Sequence, residues 1–343
     1  MVKLSLVAAL ALGIAGPASA DPFLQDDLKW LETMAFAAHQ TNYSGTFIYE
    51  YGDHVESSRI THVVDANGEH GRLESLDGQR REIIRSNGEM WCYFGEKKVK
   101  IEGHGTDHEF PALLQDTQLS RINQNYVVTQ GGEARVAGIH AHAIYFKPRD
   151  NQRYARRMWA DSASGLLLKA EVLDERGRVV EQYAFTQLAV GNDGLDRSWI
   201  DNGPSASSPA PTPAAARRLS PAAQTIPPAT PGLSEHTGVP QPTVSGWQVD
   251  AMPAGFAKIA ELRRAIHNRT DSAIQIVYSD GLAGVSVFIE ENDKDEDDVN
   301  GLTSQGAIQI YSKVTDDHLI TVVGELPPQT VMDIADSVRY AGK

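Results

Sequence analysis

Apolar residues near the N-terminus recur with the period of a helix. The spacing of three and four places one apolar stripe along a segment that ends near residue 40, and this predicts an amphipathic helix that packs on a core. The stripe consists of Leu24, Leu28, Leu31, Ala35 and Ala38.

From residue 43 the apolar spacing changes to two, which is the period of a strand. Tyr43, Phe47 and Tyr51 fall on one side, with Ser44 and Glu50 on the other. Further strand-like runs cover residues 83–85, 90–94, 99–102, 126–129, 134–136, 140–147, 156–160, 166–173 and 179–190. Gly-bearing turns join many of them, such as Asn67-Gly68, Asp77-Gly78, Asn87-Gly88 and Gly131-Gly132. The pattern predicts one large, curved antiparallel sheet.

A composition break divides the chain. Residues 201–245 hold ten of the 17 prolines together with many Ala, Ser and Thr, so we expect an extended linker without a packed core. The predicted organisation is a signal peptide over 1–20, an N-terminal domain over 21–200, a Pro/Ala/Ser-rich linker over 201–245 and a smaller C-terminal domain over 246–343.

The segment after the linker repeats the strand pattern on a smaller scale. Ser279-Asp280-Gly281 predicts a hairpin between 274–278 and 284–290, and Asp316-Asp317 predicts another between 308–314 and 319–324. A closing helix follows Pro327, with its apolar stripe at Val331, Ile334, Ala335 and Val338. The fold class is therefore mainly β with α+β character, a large antiparallel sheet with a packing helix and a smaller antiparallel sheet with a C-terminal helix.

The N-terminus has the pattern of an export signal. Lys3 precedes an apolar run over 4–14, and Ala18-Ser19-Ala20 supplies the small residues that a signal peptidase reads. We expect a mature chain that begins at Asp21. Cys92 is the single cysteine, so no intramolecular disulfide is possible.

Charge and motifs exclude several function classes. The 343 residues carry a formal net charge of −14, which disfavours nucleic acid as a partner. No phosphate-binding loop, dinucleotide-binding motif or nucleophile elbow is present, so we expect no enzyme and no cofactor. His140 and His142, with His104 and His108 upstream, lack the spacing of a complete metal site, and the acidic run over 290–298 lacks the calcium-loop pattern. Cys92, in apolar surroundings, is expected to be a packed thiol.

Two features suit binding rather than chemistry. A large curved sheet rich in aromatic residues can enclose acyl chains, and the alternative is a core filled by side chains. Arginines cluster at 80–85 and 149–157 in an otherwise acidic chain, and Arg suits phosphate groups or the carboxylates of a protein partner. The alternative there is a set of surface arginines that balance nearby acids.

Longer motifs carry a resemblance to a known family. They are 43–49 (Tyr-Ser-Gly-Thr-Phe-Ile-Tyr), 57–62 (Ser-Ser-Arg-Ile-Thr-His), 71–78 (Gly-Arg-Leu-Glu-Ser-Leu-Asp-Gly) and 156–159 (Arg-Arg-Met-Trp). Together they resemble the RseB/MucB family of periplasmic regulators of the envelope-stress sigma factor, over essentially the whole mature chain. The resemblance implies a LolA-like half-open β-barrel that holds a helix, followed by a smaller β-rich domain.

The resemblance also implies the partners. A periplasmic protein of this kind binds the periplasmic part of a membrane anti-sigma factor, MucA or RseA, protects it from a site-one protease and is released by lipopolysaccharide or another lipid. We expect the second domain and the cleft between the domains to contact the anti-sigma factor, and a homo-oligomer is left open. The other hypothesis is a periplasmic lipid or lipoprotein carrier.

The interior of the first domain is the predicted lipid site. The candidate phosphate contacts are Arg80, Arg81, Arg153, Arg156 and Arg157, and the candidate apolar wall is Phe47, Tyr49, Trp91, Phe94 and Trp159.

Overall fold

A computed structural model of the protein describes residues 22–94, 97–101, 110–114, 119–202, 236–266, 272–292 and 300–342. The predicted signal peptide, most of the predicted linker, His104, His108 and most of the acidic run lie outside the described residues. Within the described residues, no helix combines the length and the apolar character that a membrane span requires.

Helices are few and strands predominate in the described part of the chain. The helices are α1 (Pro22–Gln40), α2 (Leu119–Asn125), α3 (Ser198–Asn202) and α4 (Pro328–Asp336). The first sheet contains β1 (Tyr43–Tyr51), β2 (His54–Asp65), β3 (Gly68–Ser75), β4 (Arg81–Ser86), β5 (Glu89–Phe94), β6 (Lys97–Ile101), β7 (Tyr126–Val136), β8 (Ile139–Pro148), β9 (Ala155–Asp161), β10 (Leu167–Leu173) and β11 (Val179–Val190). After it come β12 (His236–Pro242), β13 (Trp247–Val249), β14 (Ala257–Ile266), β15 (Ser272–Ser279), β16 (Gly284–Glu291), β17 (Gly301–Gln305), β18 (Ile308–Thr315), β19 (His318–Gly324) and β20 (Val338–Tyr340).

The first sheet is open and antiparallel. Its strand order is β6-β5-β4-β3-β2-β1-β11-β10-β9-β8-β7, so β6 and β7 are the two edges. Tyr43 and Phe47 extend from β1 into a core that they share with Leu31 and Met34 of α1. We call this side of the sheet the inner face and the opposite side the outer face, since successive side chains of a strand alternate between them. The predicted packing helix and large antiparallel sheet are confirmed.

The predicted turn at Gly131-Gly132 is wrong. Both residues lie inside β7, at a bulge where the register with β8 shifts between Gln130 and Glu133. A Cβ at Gly131 would lie 2.4 Å from the ring of Tyr145, so glycine here allows the neighbouring strand's ring to pack closely. The chain instead turns at Ala137-Gly138, whose φ angles of 50° and 82° suit a tight hairpin.

The second sheet contains seven strands in the order β12-β14-β15-β16-β19-β18-β17. The hairpins predicted at 279–281 and at Asp316-Asp317 are present. Helix α4 buries Val331, Ile334 and Ala335 against the sheet, but the predicted helical position of Val338 is wrong because Val338 begins β20 and pairs with Val249.

Strand β12 comes from the proline-rich end of the predicted linker. It contains Pro240 and Pro242 and lies at the edge of the second sheet, the position in which a strand best tolerates proline.

Candidate functional site

The two sheets meet around the turn between β15 and β16. Oδ1 of Asp280 accepts hydrogen bonds from the backbone N–H groups of Leu282 at 2.9 Å and Ala283 at 2.8 Å, as Asp commonly does in turns. Its Oδ2 faces the first sheet and accepts the hydroxyl of Tyr126 at 2.9 Å and Nη1 of Arg153 at 2.8 Å. Asp280 is 0% exposed, so residues of the first sheet supply the charge that compensates this carboxylate.

Arg153 is positioned by its own loop as well as by the second sheet. It lies in the loop between β8 and β9, where Nε and Nη2 donate to the carboxylate of Asp150 at 3.1 and 3.0 Å. Nη2 also donates to the carbonyl of Ala254 at 2.6 Å, and the guanidinium lies 5.2 Å from the ring of Phe256. Arg153 is 4% exposed, so it is a structural bridge between the sheets.

A backbone contact lies beside this ion pair. Nδ2 of Asn125 donates to the carbonyls of Asp280 at 3.0 Å and of Gly255 at 3.4 Å. Gly255 has a φ of +86°, and a Cβ there would lie 1.7 Å from Oδ1 of Asn125. This position therefore requires glycine for both conformation and space.

A second ionic contact joins β9 to the end of β19. The buried Arg156 forms a hydrogen-bonded ion pair with Glu325. Burial alone would lower the pKa of Arg156, but the charge of Glu325 raises it above its ordinary value. Burial, together with the charge of Glu325, raises the pKa of Glu181, which lines the same small cavity of about 30 Å³. Two carboxyl groups thus share the neighbourhood of one guanidinium.

The third contact is the turn between β17 and β18, which inserts against the first sheet. Oε2 of Glu181 accepts the backbone N–H of Ala307 at 2.9 Å and the hydroxyl of Tyr49 at 3.0 Å. Ala307 packs against Tyr154. Gly306 has a φ of +58°, and a Cβ there would lie 2.4 Å from Oε2 of Glu181.

We call these three contacts together the inter-sheet contact. It comprises Asn125, Tyr49, Tyr126, Arg153, Arg156 and Glu181 on the first side and Gly255, Asp280, Ala307 and Glu325 on the second.

A separate cavity of about 460 Å³ opens between α1 and the β7–β8 hairpin. We call it the α1 cavity. Its size is within the range of small-molecule sites, and its wall combines a cation, an aromatic ring and several neutral polar groups. The lining residues are Lys29, Trp30, Thr33, Gln130, His142, Ala143, Ile144 and Ser162.

The ten residues predicted to bind lipid are not gathered in one place. The inter-sheet contact includes Arg153, Arg156 and Tyr49, and the core includes Phe47. The inner face carries Arg81 and Phe94, and the outer face carries Trp91, Arg157 and Trp159. The exposed turn before β4 contains Arg80.

The division between faces follows from strand alternation. Met158 extends into the core, so its neighbours Arg157 and Trp159 lie on the outer face, where Arg157 and Lys169 lie 5.6 and 4.9 Å from the Trp159 ring. Trp91 is likewise on the outer face, with Nζ of Lys98 4.0 Å from its ring. Alternation along β9 is therefore the sequence signal that could have placed Arg156 on the inner face with Met158 and Arg157 on the outer face.

The residues considered for reactivity are packed or dispersed. Cys92 is buried, and burial raises the pKa of its thiol. The ring of His142 packs edge-on against Trp30 at 6.0 Å, whereas His140 is exposed. Across the described ranges, no three or more His, Cys, Asp or Glu side chains are arranged to hold a metal ion.

Family models match two long parts of the chain. The MucB/RseB N-terminal domain matches residues 26–212, and the MucB/RseB C-terminal domain matches residues 241–339.

Curated relatives align over most of the chain. The chain is 29% identical over 341 residues to the sigma-E factor regulatory protein RseB of Salmonella typhimurium, covering 98% of this chain and 96% of the relative. It is 31% identical over 323 residues to the sigma factor AlgU regulatory protein MucB of Pseudomonas aeruginosa, covering 92% and 91%.

Solved structures show the same likeness. A crystal structure of MucB in complex with MucA(peri) is 28% identical and superposes with a TM-score of 0.65, covering 92% of this chain and 99% of MucB. The Pseudomonas aeruginosa MucA/MucB complex is 27% identical with a TM-score of 0.67, covering 93% and 100%.

Proposed function

The chain belongs to the MucB/RseB family, and on this premise we propose that it is a periplasmic negative regulator of an envelope-stress sigma factor. It binds the periplasmic part of a membrane anti-sigma factor similar to MucA or RseA. The observation that carries the proposal is the likeness, over nearly the full length, to MucB crystallised with MucA(peri). Its action is binding without turnover, so it is not an enzyme.

Regulation follows from occupancy. The bound chain covers the anti-sigma segment and so keeps a site-one protease from the cleavage site. The second sheet is the main docking surface, and the rim of the inter-sheet contact contributes to it. The ion pairs Arg153–Asp280 and Arg156–Glu325 fix the two sheets together. Side chains from both sheets can therefore contact the same partner.

Lipid release is the second part of the proposal. A lipid shifts the equilibrium only if it binds the released form more tightly than the partner-bound form. The α1 cavity supports this step, since its volume suits part of an acyl chain and Lys29 suits an anionic headgroup. Arg153 and Arg156 are buried in the inter-sheet contact, whereas Arg80 is exposed and Arg81 is half-buried, so Arg80 and Arg81 are the more accessible candidates for phosphate contact.

The test is retention of the full chain on an immobilised anti-sigma periplasmic segment, with and without lipopolysaccharide, scored together with cleavage of that segment by its protease. We expect retention and protection without lipid, and loss of both with lipid. No retention under any condition would refute the proposal.

Charge-reversed variants test the lipid step. Arg80→Glu with Arg81→Glu should keep retention and lose lipid-driven release, whereas the matched pair Arg176→Glu with Arg178→Glu, exposed in the turn after β10, should behave as the unmodified chain. Equal release from all three would remove the two candidate arginines from the lipid site.

A lipid or lipoprotein carrier is the second candidate function, favoured by the α1 cavity alone. It predicts lipid that copurifies with the chain and no affinity for the anti-sigma segment, so the same retention experiment separates the two functions.

A further inference from the structure

A buried histidine near the end of α1 has an acceptor at each ring nitrogen. His62 is 6% exposed, with Nδ1 2.8 Å from the carbonyl oxygen of Thr41 and Nε2 3.1 Å from Oε1 of Glu69. A carbonyl oxygen only accepts, an ionised carboxylate only accepts, and a neutral imidazole has one N–H. Both hydrogen bonds form together only if His62 and Glu69 hold one proton more than a neutral ring and a carboxylate.

A second histidine identifies where that proton lies. Nδ1 of His39, in the last turn of α1, is 3.1 Å from the same oxygen of Glu69. Burial would raise the pKa of Glu69, but the hydrogen bonds from His39 and His62 hold it well below its usual range. Glu69 is therefore ionised, and the additional proton belongs to the His62 ring.

The surroundings of His62 fit a charged ring. Tyr43 of β1 stacks on it with ring centres 5.0 Å apart and an interplanar angle of 18°, and an aromatic face attracts a cation. Burial and the charge of Glu69 raise the pKa of Tyr43, so Tyr43 stays neutral. The groups that face His62 are His39 from α1, Tyr43 from β1 and Glu69 from β3, with the like charge of Arg85 from β4 near Tyr43 on the same inner face.

We propose that His39, His62 and Glu69 form a proton-dependent clamp that fastens the C-terminal end of α1 to β2 and β3. Loss of the His62 proton removes the donor of one of its two hydrogen bonds and the charge opposite Glu69. The middle of α1 carries Lys29, Trp30 and Thr33 of the α1 cavity, so the clamp acts on the helix that bounds that cavity.

The direction of the pH effect follows from proton linkage. The closed clamp holds one proton more than the open one, so its stabilisation is greatest in mild acid and falls as pH rises. One proton changes the opening equilibrium by up to about tenfold per pH unit. The lowered pKa of Glu69 also stabilises the closed clamp at pH values above the ordinary pKa of Glu. This second stabilisation is lost as pH falls toward the lowered pKa.

The test compares the full chain with its Glu69→Gln variant, in buffer containing EDTA so that no metal ion replaces the proton. Side-chain ¹⁵N NMR of His62 at pH 7.5 should show both ring nitrogens protonated in the unmodified chain and one in Glu69→Gln. Glu56→Gln is the matched control, because Glu56 contacts His54 at 2.7 Å on the same strand outside the clamp. It should leave the His62 signals unchanged.

Hydrogen exchange gives a second readout of the same clamp. From pH 6.5 to 7.5, after correction for the intrinsic rate, opening at Ala37–Thr41 should rise up to about tenfold in the unmodified chain. It should stay constant in Glu69→Gln, or in His62→Gln if the former does not fold. A His62 ring with a single protonated nitrogen at pH 6.5, or equal pH dependence in both chains, would overturn the proposal.

Discussion

Replacing Arg153 by Met tests whether the inter-sheet contact rests on a buried ion pair. Met keeps much of the aliphatic length of Arg and removes the guanidinium. The substitution leaves the fully buried Asp280 without its 2.8 Å cationic partner.

The magnitude follows from what Asp280 retains. Removing one partner of a buried ion pair typically costs about 3–5 kcal/mol, since the remaining charge stays desolvated. Asp280 keeps the Tyr126 hydroxyl and two backbone N–H groups, and Asp150 is accessible to water. We therefore expect the free energy of unfolding to fall by about 3 kcal/mol, near the lower end of that range.

The assay is urea unfolding at pH 7 followed by circular dichroism. Arg178→Met is the matched control, because Arg178 pairs with Asp174 at the surface with 70% of its side chain exposed, where ion pairs contribute little. Adding Asp280→Asn to Arg153→Met should recover part of the loss, since no unpaired charge is then buried. A loss no greater than that of Arg178→Met would refute the importance of the pair.

Three other substitutions test separate features. Glu181→Gln should weaken one pH dependence. The raised pKa of Glu181 means that its carboxyl favours folding at acidic pH and that this stabilisation is lost as pH rises above about 4.5. The free energy of unfolding, measured in urea, should therefore fall less between pH 4 and pH 7 in the variant than in the unmodified chain. Gly306→Val should accelerate hydrogen exchange at Ala307, whereas Gly177→Val, with a similar positive φ but open space around its Cβ, should not. Leu31→Ala should lower the free energy of unfolding by about 2–5 kcal/mol, measured in urea, and a smaller loss would show that α1 contributes little to the core.

Local patterns predict the elements of this fold because their causes are local. The spacing of Leu31, Ala35 and Ala38 identifies the packing face of α1, and Asp316-Asp317 forms its predicted turn with φ angles of 49° and 62°. Errors occur where a distant contact decides the outcome. Val338 has the helical spacing of α4, yet it pairs with Val249, which is 89 residues earlier.

The candidate site shows the same limit. The sequence identifies Asp280 as a turn residue, but its carboxylate also accepts a hydrogen bond from Arg153, which is 127 residues away. No local sequence pattern relates these two residues. Trp159 looked equivalent to Phe47 as an aromatic strand residue, although alternation with Met158 places it on the other face. Residue type suggested a binding role, and parity along the strand decides which face each side chain occupies.

The pairing of β1 with β11 has a consequence for biogenesis. Strands β1 to β6 form one run of successive hairpins and β7 to β11 form another. In the strand order the two runs join where β1 pairs with β11, from Tyr43 opposite Val190 to Tyr51 opposite Glu181. As the polypeptide emerges from the N-terminus, the first run can assemble early, but one long edge of β1 has no neighbour until the last strand of the second run arrives. For about 140 residues of synthesis that edge is open to pairing with other chains, so prompt arrival of β11 protects the nascent protein from aggregation.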